Sequence, residues 1–202
     1  MNEPAAKNVV SVTPEGYEIV KAGPYRFIGK AIYARGFGKS GEIFGNFWNT
    51  EQCRKVFEEL DNMPEYASDE KHNAALLTWE LYHGEERKGN DDMVHGPNCF
   101  IGYTVGRFMK SGAPVPENMD YIDIPETYIA QSWYKIPKAD ITRGEYEKEE
   151  WGEWNAEGNL IKSLEQQGMY ESMHWKFMAE VYPDRDENDG VSFGYYIACK
   201  PL

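Results

Sequence analysis

Short runs rich in aromatic and β-branched residues alternate along the chain with two longer segments whose apolar residues recur at helical spacing. The short runs have the composition and alternation of β-strands. Six strands are predicted, at 23–33, 77–82, 100–106, 124–134, 177–182 and 192–198. The longer segments, 42–62 and 148–168, are predicted to be helices that each bury one face, and Gly168 is placed to end the second.

The predicted elements occur twice in the same order, which is strand, helix, strand, strand. Pro24 aligns with Pro125 in the opening strands, and Gly102 aligns with Gly194 in the last strands. Self-similarity of this kind indicates an internal duplication. The chain is therefore predicted to be a single domain made of two repeats. The predicted boundaries are 1–202 for the domain, 17–108 and 119–201 for the repeats, and 109–118 for a linker containing Pro and Gly.

The order of the elements also predicts the fold class. Strands joined by a hairpin pair antiparallel, and helices confined to one face of such a sheet give an α+β architecture. The prediction is therefore an α+β fold of tandem strand-helix-strand-strand units. Antiparallel sheets would carry helices on one face, with a central ligand cleft between the repeats.

Two glutamates occupy the middle of otherwise apolar runs, LTWELY at 77–82 and FMAEVY at 177–182. Alternation along a strand puts each Glu on the face opposite the helix-facing one, where a twofold arrangement would turn both toward a shared cleft. A carboxylate surrounded by aromatic rings favours a flat, apolar molecule with positive charge. Glu180 is the stronger candidate because Met178 and Tyr182 share its face and Tyr195 and Tyr196 lie on the next strand, a surround more like a pocket than a solvated face. For Glu80, a solvated surface position is the alternative.

Aromatic residues near the predicted cleft complete the candidate site. Trp133 aligns with Ile32, so a large ring there breaks the similarity between the repeats. Trp48 lies on a predicted helix, where a core position is the alternative. The predicted ligand-binding residues are Glu180, Tyr103, Trp133, Tyr182, Tyr195, Glu80 and Trp48.

Composition narrows the classes of partner. The formal charge of −13 opposes the basic surface that nucleic acid requires, so no nucleic-acid partner is expected. No apolar stretch is long enough to span a bilayer, and MNEPAAKNVVSV lacks the charged and apolar regions of a signal peptide, so we expect no membrane association and a cytoplasmic location. Three cysteines without paired spacing fit reduced, buried thiols.

Two local motifs are given little weight. GFGKSG at 36–41 matches the glycine spacing of a dinucleotide-binding turn, but the predicted antiparallel hairpin after it contradicts the required parallel crossover. The four histidines lack metal-ligand spacing. We therefore expect neither a cofactor nor a metal. The sequence gives no indication of an oligomeric state.

The segments YEIVKAGPYRFIGKAIYA, GAPVPENMDYIDIPETYIAQSWY and FMAEVY, in this order and spacing, resemble the GyrI-like family. These small-molecule effector-binding domains occur fused to AraC-type and MerR-type activators, and also alone. The resemblance extends from about Tyr17 to Pro201. No helix-turn-helix pattern accompanies it, so the chain is similar to the stand-alone members, whose fold is of the duplicated SHS2 type. In the family the late-strand Glu engages cationic aromatic compounds, a role the resemblance assigns to Glu180.

The resemblance leaves three functions open. The first is a binding module that senses or sequesters a drug or toxin, as the effector-binding domains do. The second is a hydrolase that opens cyclopropane-bearing genotoxic natural products, since some stand-alone members resemble such enzymes. Glu180 would then steer or deprotonate water while a tyrosine such as Tyr103 or Tyr195 donates to the developing oxyanion. The third is a protein-interaction module. The long acidic loop IPKADITRGEYEKEEW departs from the family and suggests a different ligand.

Overall fold

The computed structural model describes residues 9–35, 40–81, 99–136, 153–169, 178–182 and 191–200. The strands there are β1 Val9–Val12, β2 Glu18–Ala22, β3 Tyr25–Arg35, β4 Asn73–Leu81, β5 Cys99–Lys110, β6 Asp120–Ile124, β7 Thr127–Ile136, β8 Met178–Tyr182 and β9 Val191–Cys199. The helices are α1 Ser40–Trp48, α2 Glu51–Asp61 and α3 Glu153–Gln166, with a 3-10 turn at Pro64–Tyr66. The predicted α+β class with mostly antiparallel strands is confirmed.

The chain divides into two compact units, each named here for its long central strand. The β3 unit comprises Gly23–Pro125 and Ser172–Met178, and the β7 unit comprises Met1–Ala22, Glu126–Glu171 and Ala179–Leu202. The strand order is β4-β5-β3-β6 in the first and β1-β2-β7-β9-β8 in the second. Strand β2 precedes β3 in the chain yet pairs with β7, while β6 precedes β7 yet pairs with β3.

The β3 unit packs its helices on one face of its sheet. Ile28 on β3 lies in a buried cluster with Val56 and Leu60 of α2. Side chains alternate along a strand, so Phe27 points to the opposite face. There its ring meets Phe108 of β5 edge-on, with 4.8 Å between the centroids. Both faces of β3 are therefore buried at Phe27 and Ile28, which explains the apolar residues at these positions.

The β7 unit is built around β7, which pairs antiparallel with β2 on one side and with β9 on the other. Its helix α3 buries Leu160 and Leu164. The predicted end of this helix is confirmed, because Gly168 has a left-handed φ of 66°. The Met169 amide donates to the Leu164 carbonyl and the Gly168 amide to the Glu165 carbonyl, which is the Schellman pattern of helix termination.

The prediction of a single helix over 42–62 is wrong, because the segment forms α1 and α2 with a break between them. Thr50 causes the break. Its backbone is extended and its hydroxyl oxygen accepts a hydrogen bond from the Cys53 amide at 3.1 Å, so it caps the second helix. The same hydroxyl donates to the Phe47 carbonyl at the end of α1. One side chain thus ends one helix and begins the next.

The segment predicted as a linker, 109–118, begins with the last two residues of β5 and continues through a turn at Gly112, whose φ is 79°. The repeat boundaries themselves stay a prediction. Cys53 and Cys199 are buried thiols, and burial raises the pKa of the Cys53 thiol. In the described part of the chain, no helix combines the length and apolar character needed to cross a membrane.

Candidate ligand-binding site

Glu180 lies in the middle of β8, where burial alternates from Ala179 to Tyr182. Ala179 and Val181 are fully buried, whereas Glu180 and Tyr182 are partly exposed. Residues two apart on a strand share a face, and the Tyr182 hydroxyl donates to Glu180 Oε2 over 2.6 Å. A short hydrogen bond to a carboxylate is a strong one, so it fixes the direction of the Glu180 side chain. The structure brings these two predicted residues together.

Trp133 projects from β7 onto the neighbouring strand β9. Its backbone partner there is Gly194, where an added Cβ would lie 2.8 Å from the indole ring. The ring therefore rests directly on the β9 backbone. It meets the ring of Tyr196 edge-on, with 5.7 Å between the centroids. Since Trp133 is 42% exposed, it presents an aromatic surface to solvent.

Tyr195 follows Gly194 on β9 and points to the other face of the sheet. Its backbone partner is Ser132 rather than Trp133, and neighbouring residues on a strand project in opposite directions. The Tyr195 side chain is buried. The structure therefore places the predicted residues Trp133 and Tyr195 on opposite faces of the β7–β9 pair, so one surface cannot include both.

Tyr103 and Trp48 belong to the β3 unit, where they form an aromatic cluster under the helices. The Tyr103 ring stacks on Phe44 of α1 at 4.5 Å, with the planes nearly parallel. Its hydroxyl accepts a hydrogen bond from Trp48 Nε1 at 3.0 Å. The indole in turn stacks on Phe57 of α2. With Tyr103 only 4% exposed, the cluster ties α1 and α2 to β5.

Glu80 lies on β4 opposite Phe100, and its side chain falls outside the described part of the structure. Sequence analysis missed an aromatic residue in the same unit. Tyr33 is 54% exposed and pairs with Gly102 of β5, as Trp133 pairs with Gly194. The signal was a ring on one predicted strand and a glycine on another, but only the strand pairing and register identify which residues face each other.

A second polar cluster lies in the β3 unit beside a pocket of about 200 Å³. Glu70 is buried, and its Oε1 lies 2.5 Å from His72 Nδ1. The Ser68 hydroxyl donates to the Phe108 carbonyl, which ties the segment after the 3-10 turn to β5. Burial, and next the hydrogen bond to Asp69, raise the pKa of the Tyr25 phenol. Among the described residues no His, Cys, Asp and Glu side chains group to hold a metal ion.

Comparison with known proteins identifies the fold but not a family. No protein-family model matches the chain, and no curated protein matches it in sequence. SAV2435 bound to tetraphenylphosphonium is similar in structure, with a TM-score of 0.58 and 11% identity over 92% of this chain and 94% of that chain. A putative transcription regulation protein from Staphylococcus aureus MU50 has a TM-score of 0.52 and 9% identity over 92% and 98%. At such identities the likeness shows a shared fold alone.

Proposed function

We propose that this chain binds a small, largely apolar aromatic cation and that Glu180 is the carboxylate that engages it. The observation that carries the proposal is the hydrogen bond that holds Glu180 against Tyr182, on a strand whose alternate residues are buried. The fold likeness supports it, because SAV2435 has the same fold and was solved with tetraphenylphosphonium. We also propose that the chain is a member of the GyrI-like effector-binding family, which its sequence resembles.

The physical chemistry of the site suits such a ligand. A partly buried carboxylate attracts a cation more strongly than a solvated one does, because water screens the charges less. The Tyr182 hydroxyl occupies Oε2 without cancelling the negative charge. A bulky aromatic cation is poorly hydrated and gains from contact with ring faces. The formal charge of −13 adds a long-range attraction for cations.

The other predicted residues differ in whether they lie in the same unit as Glu180. Trp133 belongs to the same unit as Glu180 and is proposed as a wall of the site, whereas the part of Tyr195, on the opposite face of the β7–β9 pair, stays a prediction. Tyr103, Trp48 and Glu80 belong to the β3 unit, so their part depends on the predicted cleft between the repeats. That cleft stays a prediction, and the proposal requires only the β7 unit. Hydrolysis of cyclopropane-bearing compounds and binding of a protein also stay predictions.

The proposal is tested by calorimetric titration with tetraphenylphosphonium. We expect Glu180→Gln to weaken binding at least about tenfold, because unit charges 4 Å apart attract by about 4 kcal/mol at an effective dielectric constant of 20. Glu165→Gln is the matched control, since Glu165 is exposed on α3 of the same unit. Tetraphenylborate, which has the same shape and the opposite charge, should not bind.

Equal affinity of wild type and Glu180→Gln for tetraphenylphosphonium would refute the role of Glu180, and binding of tetraphenylborate would refute selection by charge. The same titration with Glu80→Gln tests the counterpart predicted in the other repeat. Recovered compounds are then analysed, including cyclopropane-bearing ones. Conversion by wild type but not by Glu180→Gln would establish the hydrolase instead.

A further inference from the structure

Gln131 lies at the centre of β7, with Glu18 of β2 as its partner on one side and Tyr196 of β9 on the other. It is 6% exposed, and within the described residues its Nε2 is buried without a hydrogen-bond partner. An amide donor taken out of water without an acceptor destabilises the fold. Folded proteins pair the large majority of such groups, so an exception needs an explanation.

The neighbour of Gln131 on the same face is Trp133. Two residues along a strand span about 7 Å, which is close to the width of one aromatic ring with a small substituent. The indole rests on Gly194 and is exposed, as described above. A flat ring stacked on it would therefore carry its substituent toward the Gln131 amide.

We propose that Gln131 is a specificity-determining residue whose Nε2 donates to an acceptor oxygen on a ligand ring stacked against Trp133. This inference rests on the proposed function and narrows its ligand class to aromatic cations bearing a carbonyl or similar oxygen. The amide has donor hydrogens to offer, and the aromatic neighbours Trp133 and Tyr196 supply apolar contact. A ligand oxygen satisfies a donor that the described protein groups leave unpaired.

A ligand can reach the Gln131 amide only if a neighbouring side chain moves. Nε2 is closed to solvent, so an acceptor reaches it only when a side chain on that face shifts. Trp133 is the exposed side chain two residues away. Because its backbone partner is a glycine, no side chain at position 194 interlocks with the ring. A shift of the indole when a ligand stacks on it would open the path to Gln131.

The test compares two cations that differ by one ketone, tetraphenylphosphonium and (4-acetylphenyl)triphenylphosphonium. A single hydrogen bond to a buried donor predicts that wild type prefers the ketone about five- to tenfold. In Gln131→Leu the preference should fall to within about twofold, since Leu cannot donate. The control Gln52→Leu, which changes an exposed Gln on α2, should keep the wild-type preference. Gln131→Leu should also melt at a higher temperature, because an unpaired donor is removed.

The possible results distinguish failure of the Gln131 subsite from failure of the proposed function. If wild type binds both cations equally, or if Gln131→Leu keeps the preference, the Gln131 subsite is refuted while the proposed function stands. If wild type binds neither cation, the proposed function fails and takes this inference with it. Gln131→Met, which also lacks a donor, replaces the Leu variant should that variant fail to fold, and it must lose the preference too.

Discussion

The β3 and β7 units place different side chains at matching positions of their central strand pairs. In each unit an exposed aromatic residue stands opposite a glycine, Tyr33 opposite Gly102 in one and Trp133 opposite Gly194 in the other. The residues that precede Tyr33 on β3 can therefore be compared, position by position, with those that precede Trp133 on β7. The same strand arrangement carries different side chains in the two units.

The next positions on the same face are small in one unit and large in the other. The facing pairs are Ala31–Thr104 and Gly29–Gly106 in the β3 unit, and Gln131–Tyr196 and Ile129–Ala198 in the β7 unit. An added Cβ at Gly106 would lie 1.9 Å from the Ile28 carbonyl oxygen. The β3 unit thus uses this face for close backbone approach, whereas the β7 unit fills it with side chains, among them Gln131, whose Nε2 has no hydrogen-bond partner within the described residues.

The largest expected effect is that of Gly106→Ala. A methyl group there meets backbone on β3 rather than a flexible side chain, so the two central strands must move apart. We expect a loss of about 3 kcal/mol in the free energy of unfolding, the upper part of the usual range for overpacking. Urea denaturation of wild type and variant measures it.

Gly45→Ala is the matched control for that substitution. Gly45 lies in α1 with no atom within 4 Å of an added Cβ, so the same chemical change should stabilise the chain by about 0.5–1 kcal/mol. A Gly106→Ala variant as stable as wild type would show that the β3–β5 approach is not tight and would remove this difference between the units.

A medium effect is expected for Tyr103→Phe. The change keeps the ring that stacks on Phe44 and removes the hydroxyl that accepts from Trp48 Nε1. We expect about 1–2 kcal/mol less stability, because a buried donor loses an acceptor. Thermal melting measures it, and Tyr33→Phe, at an exposed position of the same unit, should change stability by less than about 0.5 kcal/mol.

The same variant sharpens the assignment of the ligand site. Because Tyr103 lies under α1, we expect its loss to change stability more than affinity for tetraphenylphosphonium. A tenfold weaker affinity in Tyr103→Phe would instead support the sequence prediction that this residue lines the ligand site.

Local pattern was enough to predict most elements but not their register. The strands that carry Tyr33, Glu80, Tyr103, Trp133 and Glu180 were all predicted from their composition, because alternation is a local property. Sequence similarity aligned Trp133 with Ile32, whereas cross-strand pairing aligns it with Tyr33, one residue further. Register depends on which backbones exchange hydrogen bonds, and a one-residue slip changes the face of every side chain.

The break between α1 and α2 and the burial of Gln131 show two different limits of prediction from the sequence. Thr50 followed by Glu51 is a helix-start signal present in the sequence, so the division into α1 and α2 could have been predicted. Strand β1, with its run of valines, could have been predicted in the same way. The burial of Gln131 could not, because an amide in a strand is solvated or buried according to what packs over it.

The smallest expected effect concerns a carboxylate on an outer strand of the β3 unit. Asp123 of β6 accepts two hydrogen bonds from the Arg26 guanidinium, at 2.7 and 2.9 Å, and these bonds hold the pKa of the Asp123 carboxyl below its usual range. A carboxyl with a lowered pKa stabilises the fold above its ordinary pKa near 4, and this contribution is lost as the pH falls through the folded value.

Wild type should therefore be slightly more stable than Asp123→Asn at pH 6, and the difference should shrink progressively as the pH falls below about 4. The pair is solvent-exposed, so added salt should also shrink the difference. Urea midpoints at pH 6 and pH 2.5 measure it, with Glu58→Gln on α2 as an exposed control. A difference as large at pH 2.5 as at pH 6 would mean that Asn disturbs the β3–β6 edge sterically, and that Arg26 holds β6 by shape rather than by charge.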